Sequence, residues 1–400
     1  MGDSNITFFG YGKTTRALAK KVGTSVFYDD NVSKPHKDEE GNSLRPSSEF
    51  VARYSHCEIP SPGMAPSHPL IREAQNLISE YDYFAETMPP SVWISGTNGK
   101  TTTTQMIQTL LASHGSQAGG NIGTPLAELD ENASLWILES SSFTLHYTNQ
   151  AVPKVYVLLP ITPDHLYWHG SMREYEESKL KPLAMMHEGD AVIIPKKYED
   201  YPSKAMKICY ESNEDLAEYF DIDASKLRYK GAFLQDALLA LGVSRILFDE
   251  CDYDLINAMP LDAHRQEELH DKDGRLWVND SKATNLDATI QALLTYKESP
   301  LSLILGGDDK GVDLRPLFEL LRGLDVIIYA IGKNEPTLMG LAKEFSLHAI
   351  GCKTLEAACE KIRAKKDTKR TVLLSPAAAS LDQFSSYGQR GDKFKEFALL

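Results

Sequence analysis

Short apolar runs along the chain stop abruptly at polar residues or glycine. ITFF runs into GYGKTT at 6–15, SVFYDD ends in two aspartates, VWIS meets GTNGKT, SLWILE meets three serines, and VYVLLP leads into ITPDH. Runs of this length bounded by turn residues read as buried strands. Between them lie stretches of helical spacing, such as Arg16–Val22 and the set Met106, Ile107, Leu110 and Leu111 that ends at Gly115. The alternation resumes with WVNDSKATN, LSLILGGDDKG, DVIIYAIG and TVLLSPAAASLDQF, with a helical stretch at Thr354–Lys365. Strand and helix in turn predict an α/β chain of parallel sheets. TMPPSVW at 87–93 reads as a first linker and NAMPLDAHR at 257–265 as a weaker boundary, giving expected domains at 1–88, 89–261 and 262–400. In open α/β sheets ligands sit beyond the carboxyl ends of the strands, so the polar residues after each run are the candidates for chemistry.

Composition narrows the partners. The net charge of −14, without a long basic run, argues against a nucleic-acid partner, which needs clustered lysine and arginine. The five cysteines (57, 209, 251, 352 and 359) form no CxxC pair and read as reduced thiols. The N-terminus lacks a basic flank followed by a long apolar core, and no apolar run approaches the ~20 residues that span a bilayer. A cytoplasmic protein without membrane insertion is expected, and a monomer.

The clearest chemical signal is VWISGTNGKTTTTQM at 92–106. A strand, a glycine turn and a helix start form the setting of a phosphate-binding loop, in which helix amides and the helix dipole attract anions. Gly96, Thr97, Asn98 and Gly99 would wrap the phosphates together with Lys100, Thr101 and Thr102, and the Thr101 hydroxyl would ligate Mg²⁺. The general pattern asks for glycine six places before the lysine, where this chain has Ile94.

The variant has a counterpart. ISGTNGKTTTTQM resembles the ATP loop of the Mur ligases, G-T-N/K-G-K-T/S, which tolerates a non-glycine where Ile94 stands. Folylpolyglutamate and cyanophycin synthetases share that loop. NDSKATN (279–285), LGGDDKG (305–311), LLSPAAASLDQF (373–384) and QRG (389–391) are similar to the Mur ligases that add D-glutamate. The resemblance spans essentially the whole chain. It implies a Rossmann-like N-terminal domain, a central P-loop mononucleotide-binding α/β domain and a Rossmann-like C-terminal domain. The implied activity is ATP-dependent ligation of D-glutamate to UDP-N-acetylmuramoyl-L-alanine, with Mg²⁺, in peptidoglycan precursor synthesis.

Site residues follow from the same resemblance. Glu139, at the end of SLWILE, becomes a Mg²⁺ ligand; a carboxylate at a strand end beside a phosphate loop suits that role on its own. His165 and His169 are equal candidates by composition, and the family pattern selects His165 for a second Mg²⁺. Lys179 and Lys181 both lie on an acidic helix; the family phrase Y-x-x-x-K from Tyr175 selects Lys179, which is carbamylated in the family and so could support a metal. Asn121, Ser141 and Thr144 would handle the muramoyl end, although the family often has glutamine where Thr144 stands. Arg265, Asp280 and Lys282 match residues that grip ATP. Thr284, Lys310, Ser380, Leu381 and Tyr387 correspond to the D-glutamate pocket, with Asp308 placed to orient Lys310. The family's His-Asn-x-x-Asn near the adenine is replaced by GAFLQDALLAL, in which Asp236 stands near the second asparagine.

In the first domain, Gly10-Tyr-Gly12-Lys13-Thr14-Thr15 is a G-x-G-x-x-G with threonine in the last place, and Asp29 follows nineteen residues after Gly10. The spacing alone points to NAD. The resemblance instead assigns Gly12, Lys13, Thr14 and Asp29 to the uridine diphosphate of the substrate, beside Ser61-Pro-Gly63. No protein nucleophile is required: positioned anions and neutralising cations carry the expected acyl-phosphate route. Closure of the C-terminal domain is expected with it. A P-loop switch ATPase or a non-catalytic nucleotide binder would leave the motifs after residue 279 without a use. A folylpolyglutamate-type or another Mur-type amide ligase is the nearest alternative.

Overall fold

The computed structural model describes residues 6–309, 311–365 and 367–400. Two compact units are present: residues up to Arg228 with Leu234–Met259, and Tyr229–Phe233 with Pro260–Leu400.

The first unit carries two sheets. The first has strands β1 (Ile6–Phe9), β2 (Val26–Asp29), β3 (His36–Lys37), β4 (Ser43–Pro46) and β5 (Cys57–Pro60) in the order β3-β4-β2-β1-β5. Its pairings are parallel except the β3–β4 hairpin. The second is parallel throughout, with β6 (Ser91–Ser95), β7 (Ser116–Gly120), β8 (Leu135–Glu139), β9 (Val155–Leu158), β10 (Ala191–Pro195) and β11 (Met206–Tyr210) in the order β11-β10-β9-β6-β8-β7. Strands β6, β8 and β9 are buried along their whole length, which their unbroken apolar runs demand. Because β6 lies between β8 and β9, the loops after all three share one sheet edge.

One core runs through both sheets, from Phe8 and Phe27 through Tyr81 and Phe84 to Trp93 and Trp136. Tyr81 meets Trp93 edge-on with ring centres 4.7 Å apart. The helix Gly231–Phe248 is long and apolar enough to cross a membrane by length and composition, which the run-length reading did not single out. Its residues Ala237–Leu241 are fully buried, so within the fold it is a core helix.

In the second unit β12 (Glu267–His270), β13 (Leu276–Asn279), β14 (Leu301–Gly306), β15 (Val326–Ile331), β16 (Ala349–Lys353) and β17 (Thr371–Leu374) form the order β12-β13-β17-β14-β15-β16, with only β12 antiparallel. Alternate residues face opposite sides: Leu301, Leu303, Ile328 and Leu373 enter one apolar cluster, while Ile304, Tyr329, Val372 and Leu374 enter another. Both faces are therefore covered, and the open edge at the strand ends is where polar groups collect.

Candidate active site

The loop between β6 and the helix Lys100–Leu111 depends on two glycines. Gly96 has φ +137°, and a Cβ there would lie 2.5 Å from that of Leu159. Gly99 has φ +85°, and its Cβ would lie 2.6 Å from Asp236 Oδ1. Past Gly99 the first amides of the helix have no intrahelical acceptor and face the loop. Lys100 folds over the loop and donates to the carbonyls of Gly96 (3.1 Å) and Thr97 (2.7 Å). The Thr97 hydroxyl donates to Thr162 O and meets Tyr175 Oη, each at 3.0 Å, which fixes the loop to the strand end carrying His165. Asn98 is half-buried, and Thr102 is buried, so Thr102 offers its amide rather than its side chain.

Asp236 stands behind the phosphate loop. Its side chain is buried, accepts from Thr103 Oγ1 at 3.0 Å and stands beneath Gly99. It braces the phosphate loop from behind.

Glu139 is 3 % exposed. One carboxylate oxygen accepts from Thr101 Oγ1 at 2.8 Å and the other from Asn121 Nδ2 at 2.6 Å. Lys179 is 1 % exposed and donates to Gly96 O at 2.7 Å and Ser95 Oγ at 3.3 Å, with its ammonium 4.8 Å from the Tyr175 ring centre. Burial holds its pKa well below the ordinary lysine value; nearby Lys100 acts in the same direction, against Asp164 and Glu139. Lys100, Thr101, Glu139 and Lys179 therefore meet at one strand-end cluster. Lys181 points elsewhere, to His146 O.

The two histidines separate by environment. His169 is buried between Ser142 Oγ (3.0 Å) and Ser178 Oγ (3.5 Å), and burial, with His146, Lys179 and His165, lowers its pKa to about 4. His165 has φ +53°, is partly exposed, stands 3.5 Å from Asp164 and packs against the Phe143 ring. Among the described residues no three His, Cys, Asp or Glu side chains gather tightly enough to hold a metal. The hard oxygens of Thr101 and Glu139 suit Mg²⁺, whereas Lys179 would have to become a carbamate before it could contribute.

The first sheet presents its own edge. Asp29 accepts from the amides of Tyr11 (2.7 Å) and Asn31 (2.8 Å), and Thr15 Oγ1 donates to Gly10 O. Side chains on Gly10 or Gly12 would approach Ser61 to 3.1 Å, so these turns interlock. Gly63 O accepts from Trp168 Nε1 at 3.0 Å and Met64 O from Tyr147 Oη at 2.7 Å, tying this loop to helices of the second sheet. Lys13 Nζ donates to Gly123 O. A cavity of about 160 Å³ links Lys13 and Thr14 to Asn121 and Thr144, with Glu80 and Tyr81 in its wall. Ser141 caps the helix Ser142–Tyr147 and meets the Thr144 hydroxyl at 3.0 Å.

In the second unit, Asp280 is buried, accepts from Ser375 Oγ at 2.8 Å and Gln266 N at 3.3 Å, and has its pKa raised by burial to about 7. Arg265 lies near it and 3.7 Å from Asp262. Lys282 Nζ sits 4.0 Å from the Tyr387 ring centre, and the Thr284 amide donates to Lys282 O. Ser380 is buried, whereas Leu381 is 72 % exposed, so a pocket role for that side chain has no support in the unit. Asp308 stands 3.4 Å from Lys333. Lys310 lies outside the described residues.

The residue reading missed Arg390 except as a letter of QRG. It is fully buried: Nε donates to Ser281 Oγ, and the Nη groups donate to Ser281 O and Ala378 O. It clips the turn after β13 to the turn after β17. Gly391 is required beside it, since a Cβ would lie 2.2 Å from His264 Nδ1.

Comparison with known proteins gives this geometry a family. The Mur ligase middle domain matches residues 94–236. The chain is 51% identical over 395 residues to the UDP-N-acetylmuramoylalanine–D-glutamate ligase of Campylobacter jejuni, covering 98% of each. It is 46% identical over 418 residues to the enzyme of the same name from Helicobacter pylori, covering 98% of this chain and 99% of that one. The fold is similar to that of the MurF ligase from Thermotoga maritima in complex with ADP, with a TM-score of 0.60 at 18% identity, over 100% of this chain and 98% of that one. With near-complete coverage at this identity, and the phosphate loop, Glu139 and Lys179 assembled at one sheet edge, the chain belongs to the Mur ligases.

Proposed function

We propose that the chain catalyses the ATP-dependent joining of D-glutamate to UDP-N-acetylmuramoyl-L-alanine. The observation that carries the reading is the junction at Gly96. Lys100 and Lys179 converge on its carbonyl, and Glu139, held by Thr101 and Asn121, stands beside the same loop. The Lys100 cation and an oriented carboxylate beside one loop suit a reaction that brings one anion against another.

In that reaction the terminal carboxylate of the muramoyl-alanine attacks the γ-phosphorus of ATP, and ADP leaves. The amine of D-glutamate attacks the acyl carbonyl to form the C–N bond, the acyl C–O bond breaks as phosphate departs with the oxygen and its electron pair, and the proton on nitrogen is released as the amide forms. Bound Mg²⁺ would neutralise phosphate charge, with Thr101 and Glu139 as its oxygen donors. The loop amides and Lys100 orient the phosphates, and Asn121 aligns Glu139. Lys179, whose pKa burial lowers, is the amine that carbon dioxide would convert to a carbamate, and His165 is the further ligand in the family pattern.

Residues 1–88 take the uridine diphosphate through Gly12, Lys13, Thr14 and Asp29. Residues 89–261 take ATP and the muramoyl end, the latter through Asn121, Ser141 and Thr144. Residues 262–400 supply Arg265, Asp280 and Lys282 for ATP, and Thr284, Lys310, Ser380 and Tyr387 for D-glutamate. The partners are small molecules, and we place the reaction in the cytoplasm, carried out by a monomer. Phosphate release with ATP and UDP-N-acetylmuramoyl-L-alanine tests the reading while the amino acid is varied. Turnover with D-glutamate and none with L-glutamate or diaminopimelate is expected; equal rates without any amino acid would defeat it.

A further inference from the structure

Between the first sheet and β6 lies a helix of four residues, Glu80–Tyr83, preceded by Ser79. Its consecutive side chains are buried and polar, and together they reach three segments of the second sheet's surroundings: the loop before Leu126, Ser140 and the connector at 148–151. Ser79 Oγ accepts from Thr148 Oγ1 at 2.9 Å. Glu80 Oε1 accepts from the Leu126 amide at 2.9 Å. Tyr81 Oη lies 3.1 Å from Ser140 Oγ and 3.5 Å from Glu139 O. Asp82 accepts from the amides of Asn149, Gln150 and Ala151 at 2.8–3.0 Å. Ser79 and Asp82 also form the reciprocal capping box of this turn, whereas the Glu80 side chain serves no bond within the helix itself.

The loop at 120–126 shows what Glu80 does. Its near end is fixed where the Asn121 amide donates to Glu139 O and Asn121 Nδ2 to the Glu139 carboxylate. Its middle is held at Gly123 O by Lys13, a cation that our functional reading assigns to the substrate diphosphate. Its far end is held at Leu126 by Glu80. If Lys13 turns to the diphosphate, Glu80 at the far end and Glu139 at the near end remain to keep the loop, and Asn121 with it, in place. Glu80 also lines the cavity between Lys13 and Asn121.

We propose that Glu80 is a positioning residue for the ligation: through the Leu126 amide it holds the Asn121 loop in the register that receives the muramoyl end of the substrate. The proposal rests on the functional reading above. It predicts an effect chiefly on that substrate, because the phosphate loop at 96–99 is anchored separately, by Thr97 and Asp236, and Glu139 keeps its bond from Thr101.

Steady-state rates of the full chain with ATP, D-glutamate and UDP-N-acetylmuramoyl-L-alanine would test it in the wild type, Glu80→Leu and Glu80→Gln. In Glu80→Leu, KM for the UDP substrate should rise about tenfold while KM for ATP stays within about twofold, the scale of one buried donor left without its acceptor. Glu80→Gln, which keeps an acceptor oxygen, should recover most of the loss. Unchanged constants in Glu80→Leu, or both KM values rising together, would overturn the role. If Glu80→Leu does not fold, Glu80→Asp takes its place: its shorter side chain cannot reach Leu126 and should show the same split, and wild-type constants there would equally overturn it. An inactive wild type would refute the functional reading instead.

Discussion

Two lysines share the Gly96 carbonyl, and the loop that presents it exists because glycine tolerates both its dihedrals and its crowding. The residue scale is thus where the sequence speaks most directly. VWISGTNGKTT fixes strand, turn and helix start in consecutive letters, and Glu139 ends an apolar run. Burial, by contrast, cannot be read from letters: His165 and His169 look alike in ITPDHLYWHG, and only packing against Ser142 and Ser178 separates them. The place of Asp236 was hidden for a similar reason, since its partner Thr103 lies far off in sequence. Replacing Gly99 by alanine should strain the left-handed turn by roughly 1–2 kcal/mol and push against Asp236. Nucleotide affinity, measured with a fluorescent ADP analogue, is expected to fall by at least about tenfold. Affinity equal to the wild type would mean that the loop can relax around a Cβ.

At the scale of elements, strands that end in chemistry were legible and connectors were not. The parallel strands β6, β8, β9 and β17 announce themselves as apolar runs, and β14 as one interrupted only by Ser302. Strand β7, SQAGG, carries two glycines and no strand-forming signal; β8 on one side and the covering helix impose it. The Glu80–Tyr83 helix is too short to show a period, so its role emerges only from contacts. The loop at 61–64 belongs to the same class, because Tyr147 and Trp168 hold it from other elements. Trp168→Phe removes the indole donor to Gly63 O. It is expected to cost about 1 kcal/mol in urea unfolding and to weaken binding of the UDP substrate in calorimetry, with ADP binding unchanged.

Across the whole molecule, three sheets repeat one arrangement, with apolar faces covered and polar residues at the strand ends, and that much follows from the alternation of runs. Burying polar groups at those ends also makes individual groups respond to pH with opposite signs. Asp280 in the second unit ionises near 3.8 when unfolded and at about 7 when folded. Between those values the folded state holds a proton that the unfolded chain has released, so rising pH removes stability at up to about 1.4 kcal/mol per pH unit. His169 in the first unit has the reverse sign, because its value drops from 6.5 to about 4 and the unfolded chain is the one that holds the proton. In that unit Glu80, raised to about 8 by burial, opposes His169. Chemical unfolding of the wild type and Asp280→Asn from pH 4 to 8 should show the variant gaining on the wild type up to about pH 7 and running parallel above it. A constant gap would show that Asp280 keeps an ordinary carboxylate value. A last consequence concerns redesign of the amino acid accepted. A Cβ on Gly306 or Gly307 would lie 2.0 Å from Ile331 O or 2.2 Å from Ala379 O. Libraries randomised across LGGDD should therefore return glycine at both places whatever substrate is selected for, and diversity is better spent on the side chains of the facing SPAAAS turn.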